Sequence, residues 1–345
     1  DKYEYILPEF TLDKNLFYKE NLGNFELQTN YKVHNYDTNK LTNFLINDIN
    51  FESDSFVFDK LINNKILANI KNINYESKNV DIYKDNPTSE IFGSIGFLSE
   101  IGFEKLIDST KHSLTPKFLL RYAPGSMRKE SDSSRLTPSN AFSMNRISNM
   151  NNYETGVTGT VGFDYEIKND NINKFDFSIA QIISEKENKK MADKSSLNEK
   201  LSDLVGSTSI NFSDNFNLSY NFSIDQNYND FNYNEFGAKY NYGPLDINFD
   251  YLTENKHVGD QDYFKTELNL RNKDKGLLTF KTKRNLITNS SEFYNLSYEY
   301  INDCLRAGLV YRREFYKDSE LEPEDSLMFK ITLVPFGNLD SPKFD

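Results

Sequence analysis

An alternation of apolar and polar side chains recurs along this chain with a period of two residues. It is clearest in residues 215–225, where only asparagine and serine separate the apolar positions, which are Phe216, Leu218, Tyr220, Phe222 and Ile224. Because successive side chains of a β-strand point to opposite faces, this segment has one apolar and one polar face. Strict alternation predicts half-exposed antiparallel strands rather than buried parallel ones.

Segments with this pattern follow one another along the chain, and we count about seventeen of them. Most approach the roughly 9 to 11 residues that a tilted membrane strand needs. The C-terminal half shows the pattern in residues 245–251, 264–270, 294–300, 305–312 and 327–333. No convincing helical period interrupts the series. Residues 186–204 come nearest to a helix, but they are polar enough to be a loop.

Short and long connections alternate between the predicted strands. Short turns fall near residues 21–23, 213–215, 242–244, 272–275 and 301–303, and longer links near residues 79–87, 123–152, 184–204, 254–261 and 317–325. Outer-membrane β-barrels have tight periplasmic turns and long outward loops. This parity directs the last predicted strand, residues 326–334, toward the periplasm and places Cys304 at the periplasmic rim.

The polar face of the strands carries charges of both signs as well as asparagine and serine. Buried in a soluble sandwich, each group would need a partner or cost several kcal/mol, whereas a hydrated lumen solvates it. An open strand edge in lipid would leave backbone groups unsatisfied. We therefore predict an all-β, antiparallel transmembrane β-barrel. Bacterial single-chain barrels have even strand numbers, so about seventeen strands indicate an incomplete barrel whose missing strands precede Asp1.

Composition and charge narrow the possible functions. Hydrophobic residues make up only 37% of the chain, yet aromatic residues make up 14%, which is typical of strands with one apolar face and no thick core. The net charge of −12 and the absence of a basic stripe argue against nucleic acid as a partner. No apolar run approaches the length of a membrane helix. The start at Asp1, without a signal peptide, indicates a mature chain or a fragment.

Seven short motifs follow one another along the chain, at residues 7–10, 114–124, 140–148, 153–158, 178–181, 213–216 and 303–308. In their order and spacing they resemble the C-terminal barrel of the LptD family of outer-membrane lipopolysaccharide-assembly proteins. The resemblance covers nearly the whole chain. One departure is that Leu305 follows Cys304, where the family often has a second adjacent cysteine.

The resemblance implies a 26-strand barrel that receives lipopolysaccharide from a periplasmic LptA-like bridge and inserts it into the outer leaflet through a lateral opening. It also implies an LptE-like lipoprotein that plugs the lumen. On this interpretation, residues 1–345 are the C-terminal part of the barrel, and the first strands and a periplasmic domain lie outside the sequence. The polar lumen is then expected to accommodate the lipid head group, and the protein to reside in the bacterial outer membrane.

Three groups of residues are candidates for function under this resemblance. The lateral gate is assigned to the last predicted strand, with Leu327, Phe329, Ile331, Leu333 and Pro335. Pro335 cannot donate a ladder hydrogen bond, so it either weakens the barrel seam or simply ends the strand. Cys304 has no second cysteine in the chain. It is either a free thiol or, as the resemblance implies, the partner of a cysteine in the missing periplasmic domain.

The long loop of residues 123–152 is the third candidate. It carries Arg128, Lys129, Arg135 and Arg146, and the adjacent Asn145 belongs to one of the family motifs. The loop either folds into the lumen or binds phosphate, or it remains a plain outward loop. Loops of this length are often functional.

Enzymatic and metal chemistry find little support in the sequence. His34, His112 and His257 follow no nucleophile motif and lack metal-ligand spacing. No phosphate loop or paired-carboxylate motif stands out, so no cofactor and no enzymatic activity are predicted. An acidic loop either recruits divalent ions or is simply solvated; its residues are Asp318, Glu320, Glu322, Glu324 and Asp325.

Two other classes of protein share parts of this pattern. A passive diffusion or nutrient-uptake channel has the same composition and strand pattern, and only the motif series and Cys304 argue against it. A soluble secreted β protein, such as an adhesin, would pack its apolar faces against each other and gives no account of the loop parity.

Overall fold

β-Strands form almost the whole chain in a computed structural model, which describes residues 4–36, 39–58, 61–131, 134–169, 172–257, 259–272, 276–301, 305–314, 325–333 and 337–340. The first eleven strands are β1 (Tyr5–Lys19), β2 (Gly23–Asn35), β3 (Leu41–Glu52), β4 (Phe56–Phe58), β5 (Ile62–Lys78), β6 (Thr88–Ile101), β7 (Phe103–Ile107), β8 (Thr110–Ala123), β9 (Gly156–Asn169), β10 (Ile172–Ser184) and β11 (Leu204–Ser213). The remaining strands are β12 (Phe216–Ile224), β13 (Phe231–Tyr242), β14 (Leu245–Glu254), β15 (Gln261–Asn272), β16 (Gly276–Asn285), β17 (Ser290–Ile301), β18 (Leu305–Glu314), β19 (Asp325–Leu333) and β20 (Gly337–Asp340). One four-residue helix, α1 (Pro138–Ala141), interrupts the strand series within the described ranges.

The number of long strands agrees with the sequence pattern. Among the described residues, seventeen of the twenty strands have nine or more residues, and the other three, β4, β7 and β20, have three to five. Only Gly102 separates β6 from β7, and both pair with β8, so these two strands form one interrupted strand. The predicted all-β antiparallel fold is confirmed.

The connections also alternate in length as predicted. Residues 20–22, 108–109, 214–215 and 243–244 make short turns, whereas residues 79–87, 124–155 and 185–203 make long connections. Because consecutive strands are antiparallel, the short turns fall at one end of the strands and the long connections at the other. We call the second of these the long-loop end.

The chain divides into two units. The first contains residues 1–165, 178–206 and 225–227, and the second contains residues 166–177, 207–224 and 228–345. In the first unit the two faces of each strand differ sharply in exposure. On β8, Leu119 and Arg121 are both 0% exposed, whereas the intervening Leu120 is 49% exposed. We call the face that bears Leu120 the outer face and the opposite face the inner face.

Apolar residues predominate on the outer face of the first unit, and they remain exposed. Ile70, Ile91, Ile95, Phe118 and Tyr122 are all more than 40% exposed. A soluble domain would bury such a surface, since contiguous exposed apolar patches of this extent mark an interaction with lipid or protein.

Loops cover the inner face of the first unit with two apolar clusters. One cluster joins Ala180, Ile182 and Val205 of β10 and β11 to residues of both long loops, which are Met127, Leu136, Ala141, Ile147, Met191 and Leu197. The other joins the inner face of β3, β5, β6 and β8 to Tyr153, with Tyr83 packed against it. The inner face is therefore not uniformly polar, and the loop of residues 124–155 folds against it instead of standing outward.

In the second unit, strand register aligns apolar with apolar and polar with polar residues. Tyr240 pairs with Ile247, Ile247 with Leu268, and the row continues through Phe280, Leu296, Tyr311 and Leu327. The adjacent row on the opposite face contains Lys239, Asn248, Glu267, Lys281, Asn295, Arg312 and Ser326. Lys281 Nζ lies 3.0 Å from Glu267 Oε2 within this polar row.

The face that bears this apolar row is the exposed one, and we call it the outer face of the second unit and the opposite face its inner face. Leu270, Leu296, Tyr298, Leu309 and Phe329 are each about 46–47% exposed. Phe216 and Tyr220 share this face, because they pair with Tyr240 and Phe236. The described strands thus carry exposed apolar side chains on one face and paired charges on the other, which is the arrangement of a membrane β-barrel.

One feature of the C-terminus differs from the sequence prediction. The strand predicted to be last, residues 326–334, corresponds to β19, but β20 follows it and pairs with it antiparallel, from Leu333 with Gly337 to Lys330 with Asp340. The four residues of β20 are too few to show a periodic pattern, so periodicity could not predict this strand. Cys304, Pro335 and the acidic residues 318–324 lie outside the described residues.

Within the described ranges, no helix is both long enough and apolar enough to cross a membrane.

Candidate functional site on the inner face

The long loop of residues 124–155 is attached to the inner face by side chains from its C-terminal half. Tyr153 Oη lies 2.5 Å from Ser94 Oγ of β6 and donates to the carbonyl of Met144 at 3.2 Å. Lys71 of β5 donates to the carbonyl of Met150 at 3.4 Å. Tyr153 is fully buried. The loop thus has specific polar anchors on two separate strands.

A buried charge cluster at the base of this loop contains Arg121, Arg146 and Glu154. Arg146 Nε donates to Glu154 Oε2 at 2.7 Å, and its Nη2 pairs with Glu154 Oε1. Arg121 of β8 approaches the same carboxylate from the strand, with Nη1 3.9 Å from Oε1. Its Nε donates to the carbonyl of Met144 at 2.6 Å. We refer to these three residues as the Glu154 cluster.

The Glu154 cluster holds two guanidinium groups against one carboxylate, so its net charge is positive. Both arginine side chains are 0% exposed and that of Glu154 is 5% exposed. Burial opposes ionisation of Glu154, but the charges of Arg146 and Arg121 and the hydrogen bonds from Arg146 outweigh it, and its pKa lies below the ordinary value. Burial raises the pKa of the neighbouring Tyr153.

Asn145 and Arg146 form hydrogen bonds with the end of the loop and with the strand that follows it. Asn145 Oδ1 accepts the backbone N–H of Glu154 at 3.1 Å, and Arg146 Nη2 donates to Thr158 Oγ1 of β9 at 2.9 Å. Asn145 and Arg146, both predicted site residues, therefore join the middle of the loop to its exit. Just before them, Thr137 caps α1, with its Oγ1 accepting the N–H of Asn140 at 3.3 Å.

Arg128, another predicted residue, is neutralised within the protein. It forms an ion pair with Glu90 of β6, and its guanidinium lies 5.3 Å from the ring centroid of Tyr75 and 5.4 Å from that of Tyr83. Burial raises the pKa of Tyr83. Arg135 is half-buried, and its carbonyl accepts the side chain of Asn140 at 3.0 Å. The structure thus separates Arg128 and Arg135 from the Glu154 cluster.

The second long loop, residues 185–203, packs on the first. Glu130 N–H donates to the carbonyl of Lys190 at 2.7 Å, Lys190 Nζ contacts Ser126 Oγ at 2.6 Å, and Asn188 Nδ2 donates to the carbonyl of Thr155 at 3.1 Å. A cleft of about 450 Å³ lies between the loops, and its lining includes Glu154 and Lys186. The sequence identified this segment only as a polar loop.

A second buried ion pair, on the inner face of β3 and β5, lies close to the loop of residues 124–155. Lys71 Nζ is 2.9 Å from Asp48 Oδ2, with both side chains mostly buried. The same ammonium lies 5.8 Å from the ring centroid of Tyr153. The inner face therefore offers charges of both signs, already paired, to anything that occupies the lumen.

The three histidines lie apart, and each has a side-chain partner from the protein. His34 Nε2 is 2.6 Å from Glu4, His112 Nδ1 is 2.8 Å from Tyr165 Oη, and His257 Nδ1 is 3.1 Å from Glu254. No cluster of three or more potential metal ligands occurs in the parts of the chain that the structure describes.

Sequence reasoning did not assign a role to Arg121, Tyr153 or Glu154, although it quoted them in family motifs. The available signal was that the motifs at residues 114–124, 140–148 and 153–158 each contain one member of the Glu154 cluster. The contacts among these motifs explain why they occur together.

Comparison with known proteins places the chain in a family. A family model described as "LptD: LPS transport system D" matches residues 74–303, well over half of the chain. No curated protein matches the chain significantly. Among solved structures, the chain is similar to the siderophore receptor PiuA from Acinetobacter baumannii, with a TM-score of 0.41 and 11% sequence identity. That similarity covers 94% of this chain and 67% of the receptor chain.

Proposed function

Because the chain belongs to the LptD family, an outer-membrane family of the lipopolysaccharide transport system, we propose that it forms part of the barrel wall along which lipopolysaccharide reaches the outer leaflet. In this proposal the polar inner face accommodates the head group, and a lateral opening releases the acyl chains into the bilayer. The proposed role is binding and guiding a lipid, without a chemical step.

The observation that supports this proposal is the separation of side chains between the two faces. In the second unit, the inner row from Lys239 to Ser326 consists of polar and charged residues, whereas the outer row from Tyr240 to Leu327 is apolar. An amphipathic lipid needs both environments, since its sugars and phosphates remain hydrated and its acyl chains require an apolar exit.

The lateral opening is proposed to lie along β19. Leu327 and Phe329 are exposed on its outer face, and the alternation in the sequence continues to Ile331 and Leu333. Among the described residues, β20 pairs only with residues 330–333, so the Asp325–Phe329 half of β19 has no partner in β20. Pro335 is proposed to weaken the same edge, because proline cannot donate a ladder hydrogen bond.

The partners follow from the family and belong to the same proposal. They are lipopolysaccharide, an LptE-like lipoprotein in the lumen and a periplasmic LptA-like bridge, together with additional barrel strands and a periplasmic domain. A disulfide from Cys304 to that domain is proposed as well. Purified full-length protein should then migrate differently on reducing and non-reducing gels, and Cys304→Ser should abolish the difference.

Site-specific photocrosslinking and reconstituted transport test the proposed function. A photoreactive side chain at Asn295 on the inner row should crosslink to lipopolysaccharide during transport into proteoliposomes. The same group at its neighbour Leu296 on the outer row is the control, and it should crosslink bulk phospholipid instead. Ion conductance with no lipopolysaccharide transport would contradict the proposal and favour a diffusion or uptake channel.

A further inference from the structure

The outer face of β5 changes character halfway along the strand. Ile66 and Ile70 are exposed apolar residues, but the next outer positions toward the long-loop end are Asn72, Asn74 and Glu76. The register of β5 runs without a shift through this change, so the same face becomes polar. Polar side chains are unfavourable where a surface contacts lipid tails, so we expect the polar half of this face to lie outside the apolar part of the membrane.

Neighbouring strands extend the polar surface sideways. Asn72 pairs with Asn47 of β3, Asn74 with Ser89 of β6, and Asn43 with Glu76. Because partners across antiparallel strands share a face, these residues form a polar patch on the outer face of β3, β5 and β6. Thr29 and Tyr31 of β2 continue it, opposite Asn47 and Leu45.

Part of this patch satisfies its own hydrogen bonds. Thr29 Oγ1 donates to Asn47 Oδ1 at 2.9 Å, Asn72 Nδ2 to Ser89 Oγ at 3.1 Å, and Asn74 Nδ2 to Asn72 Oδ1 at 2.5 Å. In contrast, the side chains of Asn43 and Glu76 form no hydrogen bond with any residue that the structure describes. Their amide and carboxylate groups remain available to an external partner.

A groove of about 420 Å³ lies within the patch. Its lining includes Tyr31, Asn43, Leu45, Asn74, Glu76 and Ser89. The combination is a half-buried aromatic ring, several carboxamide and hydroxyl groups and one carboxylate. None of the described residues of this lining is a lysine or an arginine, so they offer no cation of the kind that recognises phosphate.

The position of the groove relative to the apolar band indicates its depth. The mainly apolar stretch of the outer face of β5 runs from Ile62 to Ile70, with Asn64 buried between them. At about 3.3 Å per residue and a tilt of roughly 40°, this stretch spans roughly 20 Å along the membrane normal. That length approaches the ~25 Å apolar band of outer-membrane barrels, so the polar patch lies just beyond it, at head-group level.

We propose that this outer groove binds the sugar portion of the lipopolysaccharide head group after the lipid has reached the outer leaflet. The inference rests on the proposed function, which supplies the lipid and sets the long-loop end outward. Sugar hydroxyls both donate and accept hydrogen bonds, and the free groups of Asn43 and Glu76 complement them. The ring of Tyr31 offers an amphipathic surface to a pyranose.

The chosen variant changes the groove without removing any internal hydrogen bond. Asn43→Leu removes a free carboxamide, and Ser99→Leu, on the outer face of β6 toward the opposite end of the strand, is the matched control. De-acylated lipopolysaccharide serves as the probe, titrated against the full-length protein in detergent micelles. We expect Asn43→Leu to raise its Kd about tenfold and Ser99→Leu to leave the Kd unchanged.

A dephosphorylated form of the same saccharide identifies the recognised group. Retained affinity supports sugar recognition, whereas loss of binding on dephosphorylation overturns it in favour of phosphate. Equal Kd values for wild type and Asn43→Leu also overturn the inference. If the wild-type protein transports lipopolysaccharide but does not bind the saccharide, the groove is not a sugar site, and the proposed function stands. Saccharide binding without lipopolysaccharide transport refutes the proposed function and leaves the groove as a sugar site.

Discussion

Replacing Glu154 by glutamine should release the loop of residues 124–155 from the inner face. The substitution preserves side-chain shape but leaves Arg121 and Arg146, both 0% exposed, without their carboxylate. Removing one partner of a buried ion pair costs about 3–5 kcal/mol. Since about 1.4 kcal/mol is a factor of ten, the equilibrium for loop opening should shift by between about a hundredfold and a few thousandfold.

Hydrogen exchange of the full-length protein in micelles measures this shift directly. Backbone amides of residues 134–155 should lose protection in Glu154→Gln, while amides of β5 and β6 retain it. Glu185→Gln is the matched control, because Glu185 is exposed and its ion pair with Lys186, at 3.5 Å, is exposed as well. If loop protection in Glu154→Gln equals that in Glu185→Gln, the Glu154 cluster does not hold the loop and our reasoning is refuted.

Three further predictions test the same region. The pKa of Glu154 is lowered in the folded protein, so its stabilising contribution should be constant above the unfolded pKa of about 4.3 and be lost as pH falls below that value. A spin label at Lys129 should therefore become more mobile below about pH 4.3 in wild type. In Glu154→Gln the mobility of this label should not change over the same pH interval. Gly162→Ala would place a Cβ 2.2 Å from the carbonyl oxygen of Ile179 and should destabilise the barrel by about 1–3 kcal/mol in urea unfolding, whereas Gly159→Ala, with its nearest neighbour at 3.8 Å, should not. Tyr153→Phe removes the hydroxyl contacts with Ser94 and Met144 and should cost about 1–2 kcal/mol in the same assay, while Tyr122→Phe on the exposed outer face should be neutral.

The strands could be predicted from the sequence because their signal is local. In β12, each apolar residue is two positions from the next, and the structure pairs Phe216 with Tyr240 and Tyr220 with Phe236 on one face. The turns at residues 214–215 and 243–244 are likewise visible in the sequence, as short breaks in the alternation with Asp-Asn and Gly-Pro. A two-residue period needs no knowledge of distant contacts, so the pattern alone determines the strand and its two faces.

The packing of the loop could not be predicted in the same way. Its anchors join residues far apart in sequence, such as Lys71 with Met150 and Arg121 with Glu154. Nothing periodic links these positions, and a loop with several arginines has the same composition whether it is buried or solvated. Only the coexistence of the three motifs that contain the Glu154 cluster pointed to their contact.

The polarity reversal on β5 does have a signal in the sequence, and it connects the loop with the outer groove. Ile62, Ile66, Ala68 and Ile70 occupy even positions of β5, whereas Ile73 and Tyr75 occupy odd ones; Leu67 is the exception to this pattern. Without a bulge, this change of phase moves the apolar side chains from the outer face to the inner face. Ile73 and Tyr75 then become part of the apolar cluster that Tyr153 completes.

The two consequences of this phase change depend on each other. The apolar residues on the inner face at the long-loop end must be shielded from water, and the loop of residues 124–155 buries them through Tyr153. The outer positions of the same strand segment are then free to be polar, because the local core lies on the other side. The segment beyond Ile70 therefore folds like part of a soluble domain, with a loop-covered core, while the segment below it faces lipid. Releasing the loop should accordingly weaken saccharide binding at the outer groove as well, since Tyr75 and Asn74 are adjacent on one strand.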